Sequence, residues 1–130
     1  MTTQGSLSPA IWGHSGWKFL FASAYVYPKE RASSELKEKY YNFFFNLQYT
    51  LPCAKCRKHF GDYIKNHPLQ FALDNRDTIM KWLIGLHNLS NSDNMLFNQD
   101  QATKRYIFTD KYQRSRCQNC ERELQQNIKS

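Results

Sequence analysis

Leu51-Pro52-Cys53-Ala54-Lys55-Cys56-Arg57-Lys58-His59-Phe60 sets two thiols three residues apart, directly after a proline. Proline at the first helical position sacrifices no hydrogen bond and presets the backbone, so the stretch predicts a helix start with Cys53 and Cys56 one turn apart on one face. A pair so placed can close as a disulfide. The unpaired N–H groups of a helix start, with Lys55, Arg57 and Lys58 alongside, favour a thiolate over a thiol. The same spacing also holds zinc, so these residues alone leave redox chemistry and metal binding open.

Around this stretch the chain has the composition of one globular domain. Its 130 residues suffice to bury a core without disulfides as the main support. Aromatic and aliphatic residues are abundant, and neither internal repeats nor low-complexity runs occur. The ends differ: Met1 to Leu7 is small and polar, and Arg114 to Ser130 is polar and charge-rich, so both are expected to be mobile. The net charge of +7 is concentrated from Gln101 onward, where Lys104, Arg105, Lys111, Arg114, Arg116, Arg122 and Lys129 face Asp110, Glu121 and Glu123. Such a tail suits nucleic acid, a membrane surface, an acidic partner or a dinucleotide, and equally a solvated basic face.

Four cysteines in two CxxC pairs, Cys53/Cys56 and Cys117/Cys120, are too few and too clustered for a secreted disulfide scaffold. The apolar run Phe19 to Val26 contains Ala22-Ser23-Ala24, but Trp12, His14, Trp17 and Lys18 precede it in place of a basic leader, which argues against a signal peptide. No stretch is apolar for the length that a membrane span requires.

Taken in order, Ser8-Pro9 signals a helix start, and Ile11, Trp12, Phe19, Leu20, Ala22, Ala24 and Val26 predict a mostly buried helix up to Tyr27-Pro28. Gly13 and Gly16 weaken its interior, which implies a flat group or a second helix close to the backbone there. Ser33 or Ser34 caps a second helix carrying Leu36, Tyr40, Phe43, Phe44 and Leu47. The Pro52 helix runs to about Lys65, with Phe60 and Ile64 inward, and stops at Asn66-His67-Pro68. After a loop to Asp74, a cap at Asp74, Asn75 or Asp77 opens a fourth helix with the stripe Ile79, Trp82, Leu83, Leu86 and Leu89. Gln99 to Tyr112 predicts a short fifth helix. The expected fold is therefore all-α, a four-helix bundle with a short fifth helix and a flexible C-terminal arm, divided as domain 1–112 and arm 113–130. His14, His59 and His87 lie in helical segments without metal-ligand spacing to any cysteine, so no metal site is expected from them.

Taken together, Gly13-His14-Ser15-Gly16-Trp17, Tyr27-Pro28, Leu51-Pro52-Cys53-Ala54-Lys55-Cys56 with His59-Phe60, and Trp82 through Asn91 resemble the Erv/ALR family of FAD-linked sulfhydryl oxidases. The order of tryptophan helix, CxxC helix and W-x(4)-H-N-x-x-N carries the resemblance over roughly Trp12 to Asn91. The Leu-Pro-Cys form and small size look most like members encoded by large DNA viruses. The resemblance implies FAD at the mouth of the bundle and a homodimer. It also implies oxidation of protein dithiols to disulfides with oxygen as acceptor, giving hydrogen peroxide. By the same match Cys56 is the flavin-proximal sulfur and Cys53 the sulfur that exchanges with substrate, while Trp12, Gly13, Trp17, His59, Trp82, His87, Asn88 and Asn91 hold FAD.

Departures from the family pattern fall at Ser90, where valine is usual, and at Phe21, often a flavin-contacting histidine. Ser92-Asp93-Asn94 stands where basic residues usually neutralise the pyrophosphate, which leaves Lys104 or Arg105 for that task. The core-stapling cysteine pair of many cellular members is absent. Cys117/Cys120 is expected to act as a shuttle, passing electrons from a substrate dithiol, with a thioredoxin-like relay as one candidate, to Cys53. Neither nucleic acid nor membrane is expected as a partner, and residence is expected in the cytoplasm. The competing reading is a zinc-binding module of all four cysteines contacting nucleic acid or protein, against which stand the roughly sixty residues between the pairs and the helical setting of the first.

Overall fold

In the computed structural model, residues 3–90 and 98–107 are described. Asn91, Cys117, Cys120 and the arm 113–130 lie outside them. The described residues form five α-helices and one short 3-10 turn, without a strand: α1 (Pro9–Tyr25), α2 (Ser34–Thr50), α3 (Ala54–Asn66), the turn Leu69–Ala72, α4 (Arg76–Ser90) and α5 (Gln99–Tyr106). Short polar side chains start most of them. Ser8 Oγ accepts from Ala10 N, with Pro9 in the first turn, and Ser33 Oγ accepts from Leu36 N. Asn75 exchanges bonds of 3.1 Å with Thr78 at the start of α4. Asn98 and Gln101 form a capping box on α5, each accepting a backbone N–H of the other at 2.9 Å.

The start of α3 differs from expectation. Pro52 lies outside the helix and Cys53 is its N-cap, in extended backbone at φ −127°, ψ 123°. The reason is disulfide geometry. A disulfide brings two Cβ atoms to about 3.8 Å, whereas residues three apart inside a helix hold theirs about 5–6 Å apart. Releasing Cys53 into extended backbone lets the pair close, with a Cα–Cα distance of 5.0 Å.

Helix α1 packs chiefly against α4 and α2 against α3, while α5 lies across α1 and α4. Helix α4 is central. Ile79, Met80 and Leu83 are fully enclosed, and Trp82, Ile84, Leu86 and His87 are buried as well. Its buried side is thus broad, while Asp77, Lys81, Leu89 and Ser90 stand exposed. Leu89, expected in its buried stripe, is exposed.

Helix α1 is not mostly buried, contrary to expectation: Ile11, Phe19 and the C-cap Val26 are 70%, 61% and 41% exposed. Leu20, Phe21 and Ala24 instead supply the buried side. The exposed residues recur at helical spacing, and the Phe19 ring contacts that of Phe43 on α2 at 6.1 Å. Apolar residues stand on two faces of α1, and one chain covers one of them.

Two buried polar links stiffen the bundle. Tyr63 of α3 donates through its hydroxyl to the Trp82 carbonyl at 2.6 Å, Trp82 Nε1 donates to the His67 carbonyl at 2.9 Å, and the Tyr63 and His67 rings stack at 4.2 Å. A Cβ on Gly85 would lie 2.5 Å from the Tyr63 hydroxyl, so this helical glycine makes room for the bond. Burial pushes the Tyr63 phenol up to about 12, which keeps it a donor. The second link is His87, whose Nε2 lies 3.0 Å from the Tyr106 hydroxyl of α5. Tyr106 in turn stacks on Phe21 of α1 at 5.0 Å and 13°.

Gly85→Ala is expected to lower stability by about 1–3 kcal/mol despite alanine's better helix propensity, because the new methyl displaces a packed phenol. The double variant Gly85→Ala/Tyr63→Phe should recover much of that loss, and thermal melts of the three proteins check it. His87 supplies a pH dependence. Burial holds its imidazole below the ordinary 6.5, so just below that pH the unfolded chain binds the proton and the folded chain does not. Stability is therefore expected to fall as pH drops below 6.5, and His87→Gln should flatten that part of the melting-temperature profile.

Candidate active site

The disulfide Cys53–Cys56 sits at the first turn of α3, where helical amides point outward without intrahelical acceptors. Cys53 Sγ accepts from Cys56 N at 3.2 Å, and Ser6 Oγ accepts from Ala54 N at 2.9 Å. Sulfur at this position meets the positive end of the helix dipole, which stabilises a thiolate once the pair is reduced. Of the three cations expected to help, Arg57 is committed elsewhere: its guanidinium donates to the carbonyls of Leu51 at 2.5 Å and Gly5 at 3.1 Å. Lys55 does share a wall with the sulfurs.

That wall belongs to a cavity of about 450 Å³ between α1 and α3. It is bounded by Trp12, Gly13, Gly16, Trp17 and Leu20 on one side and by Leu51, Cys53, Lys55, Cys56, His59 and Phe60 on the other, with Leu86 and Ser90 at its end. The glycines keep its α1 wall clear of side chains. A Cβ on Gly16 would come within 3.0 Å of the Trp12 ring, and that indole is held by its Nε1–H donating to the Leu7 carbonyl at 3.2 Å. A second cavity of about 250 Å³ adjoins it, lined by Asp62, Tyr63, Asn66, His67 and Leu89, and sharing His59, Leu86 and Ser90 with the first. An apolar slot between two indoles and a disulfide, continued by a polar chamber with two imidazoles, an amide and a carboxylate, fits an elongated ligand with a flat ring at one end. FAD has that shape.

The structure brings Trp12, Gly13, Trp17, Cys53, Cys56 and His59 together around this slot. Other residues expected at the cofactor sit elsewhere. Trp82 is in the core behind Phe60, at 5.8 Å between rings, and donates to His67. His87 is buried, with the Trp17 ring edge-on at 4.8 Å, and thus backs the slot without lining it. Asn88 is half-buried beside it, and Lys104 and Arg105 are exposed on α5 outside both cavities. The two departures from the family pattern fall at informative places: Ser90 lines the junction of the cavities, and Phe21 is enclosed against Tyr106.

Residues that sequence reasoning passes over are Leu20, Leu51, Leu86 and His67 on the cavity walls and Tyr106 behind His87. Periodicity marks Leu86 only as core. His67, in its turn before Pro68, is exposed and also lines the second cavity. Among the described residues, no three of His, Cys, Asp or Glu are grouped to hold a metal ion.

The solved structure of the yeast Erv1 core superposes with a TM-score of 0.68 at 22% identity, covering 82% of this chain and 90% of that one, which shows the same fold. The FAD-binding domain of Erv1 from Saccharomyces cerevisiae gives 0.67 at 24% identity, over 77% and 94%. Among sequences, a protein of Acanthamoeba polyphaga mimivirus described as a probable FAD-linked sulfhydryl oxidase is 41% identical over 86 residues, 65% of this chain and 59% of that protein. The FAD-linked sulfhydryl oxidase of African swine fever virus is 30% identical over 83 residues, 62% of this chain and 66% of that one. The chain thus spans under two thirds of the mimivirus relative's length. The sequence profile of the Erv1 / Alr family matches residues 14–107, the span that contains α3, α4 and most of α1, and the chain belongs to that family.

Proposed function

We propose that this chain is a FAD-dependent sulfhydryl oxidase that forms disulfides in protein dithiols and reduces oxygen to hydrogen peroxide. The observation that carries the proposal is the Cys53–Cys56 disulfide set in the wall of a slot lined by two tryptophans. The names of the viral relatives and membership of the Erv1 / Alr family point the same way.

A substrate thiolate attacks Cys53 Sγ and breaks the Cys53–Cys56 bond, so Cys56 leaves as a thiolate. The second substrate thiolate then attacks the mixed disulfide, releases the oxidised substrate, and leaves the protein pair with two electrons more. The first turn of α3 stabilises the negative charge on both sulfurs, and Lys55 adds a cation on the same wall. The chemistry that FAD supplies when bound is acceptance of this electron pair and its delivery to oxygen. Trp12, Gly13, Trp17 and His59 would hold it directly. Trp82, His87 and Asn88 would support it from behind, from the α4 side of the slot. Lys104 and Arg105, on α5 outside both cavities, would supply positive charge for its phosphates only at a distance, and Asn91 would complete the set.

The domain comprises residues 1–112. The arm 113–130 carries Cys117 and Cys120, which relay electrons from substrate dithiols, or from a thioredoxin-like carrier, to Cys53. The apolar stripe Ile11, Phe19 and Val26 with Phe43 is the surface through which two copies pair. No helix among the described residues is long and apolar enough to cross a membrane. The compartment we propose is the cytoplasm.

The purified protein is expected to be yellow and to consume oxygen with dithiothreitol, releasing one peroxide per dithiol. Cys56→Ser should lower turnover at least about 100-fold while retaining flavin, since the leaving sulfur is gone. Cys117→Ser/Cys120→Ser should keep the rate with dithiothreitol but slow oxidation of reduced thioredoxin. Colourless protein that releases zinc on oxidation would reverse the proposal.

A further inference from the structure

The sulfur assigned to meet substrate is the less accessible of the two: Cys53 is 5% exposed, whereas Cys56 is half-buried. The non-helical segment Gln4–Leu7 runs beside it and bonds the residues on both of its flanks. Leu7 N donates to Pro52 O at 2.6 Å, and Ser6 Oγ accepts from Ala54 N at 2.9 Å. Gly5 O accepts from Arg57 at 3.1 Å, and Gln4 Nε2 donates to Tyr49 O at 2.8 Å. Between them, Gly5, Ser6 and Leu7 meet one backbone acceptor, one backbone donor and one guanidinium. The central residue, Ser6, is the oxygen isostere of cysteine.

We infer that Gly5–Leu7 is a pseudosubstrate strap, lying where an extended, cysteine-bearing segment of a substrate polypeptide docks, with Ser6 in the register of the attacking cysteine. This rests on the reading that Cys53 exchanges with substrate. The chemistry of the site selects the occupant. When the strap lifts, Pro52 O, Ala54 N–H, one arm of the Arg57 guanidinium and the Trp12 indole N–H lose their partners, and an extended peptide can restore them through its backbone and its cysteine, much as in strand addition. A folded surface or a helix, whose backbone groups are already paired, cannot. The Ser6 position also places a substrate sulfur at the amide of Ala54, where the helix dipole favours its thiolate. The strap is anchored by few bonds, each worth about 1 kcal/mol, so lifting it is within reach of substrate binding.

Two variants test this. In Ser6→Cys the introduced thiolate is expected to attack Cys53 Sγ and break the Cys53–Cys56 bond. Cys56 is then left as the thiolate, its proton exchanged with solvent, and no external oxidant is consumed. Peptide mapping after acid quench should find the introduced sulfur joined to Cys53. In Ser6→Ala, which frees the Ala54 amide, alkylation of Cys53 by iodoacetamide in the reduced protein should quicken roughly fivefold, the equivalent of one lost hydrogen bond, with the Cys56 rate little changed. The kcat/KM for dithiothreitol should rise by a similar factor. An introduced thiol that stays free or joins Cys56, or a Ser6→Ala protein with unchanged Cys53 alkylation, overturns the strap. Cross-linking and alkylation need neither flavin nor turnover, so a protein that oxidises no thiols would sink the proposed function and still report on the strap.

Discussion

The first turn of α3 exposes amide hydrogens that the helix itself cannot satisfy, and the site is built on how they are met. Cys53 Sγ takes the amide of Cys56 and Ser6 Oγ takes that of Ala54. One sulfur therefore does two jobs, closing a disulfide and capping a helix, and it does both because it stands in extended backbone just before the helix begins. The arrangement ties redox state to local structure: a reduced Cys53 keeps the cap as a thiolate, an acceptor at least as good as the disulfide sulfur.

Everything behind that turn serves to keep a thin slot open. Packed interiors close unoccupied gaps unless the walls are rigid. Here the wall indole Trp12 is fixed by its N–H to Leu7, and the layer behind the walls is fixed in the same way, Trp82 to His67, Tyr63 to Trp82 and Tyr106 to His87. Small residues at Gly13, Gly16 and Gly85 leave room where a side chain would intrude or displace a ring. Helix α5 contributes by covering the imidazole of His87, so an otherwise minor element completes the back of the slot.

Most of the helices are legible in the sequence because apolar residues recur at helical spacing and Ser, Asn or Pro stands at or just before the start. The CxxC is legible as a site because the tryptophans and glycines of α1 give it a flat neighbour. What the pattern leaves out is direction. Trp82 and His87 belong to a motif that travels with the cofactor, yet spacing does not reveal whether a side chain lines a cavity or backs it. On α1 apolar residues occupy two faces, and periodicity alone does not say that Ile11, Phe19 and Val26 are the uncovered set. The N-cap role of Cys53 follows from disulfide geometry, which a helix-start rule built on proline overrides too readily. The stacking of Tyr106 on Phe21 is a long-range contact between α5 and α1 with no local signature, although the capping box Asn98-x-x-Gln101 does mark where α5 begins.

The chain has three tryptophans, and all of them are at this one place. Trp12 and Trp17 line the slot, and Trp82 lies edge-on behind Phe60, one of its wall residues. No indole stands elsewhere in the fold to add a background. The tryptophan emission of this protein, excited apart from its eight tyrosines, is consequently a local signal, confined to the slot and its immediate wall. An absorbing ring in the slot beside Trp12 and Trp17 would be close enough to accept their excitation, so the quenching of that emission reads out occupancy without any added label.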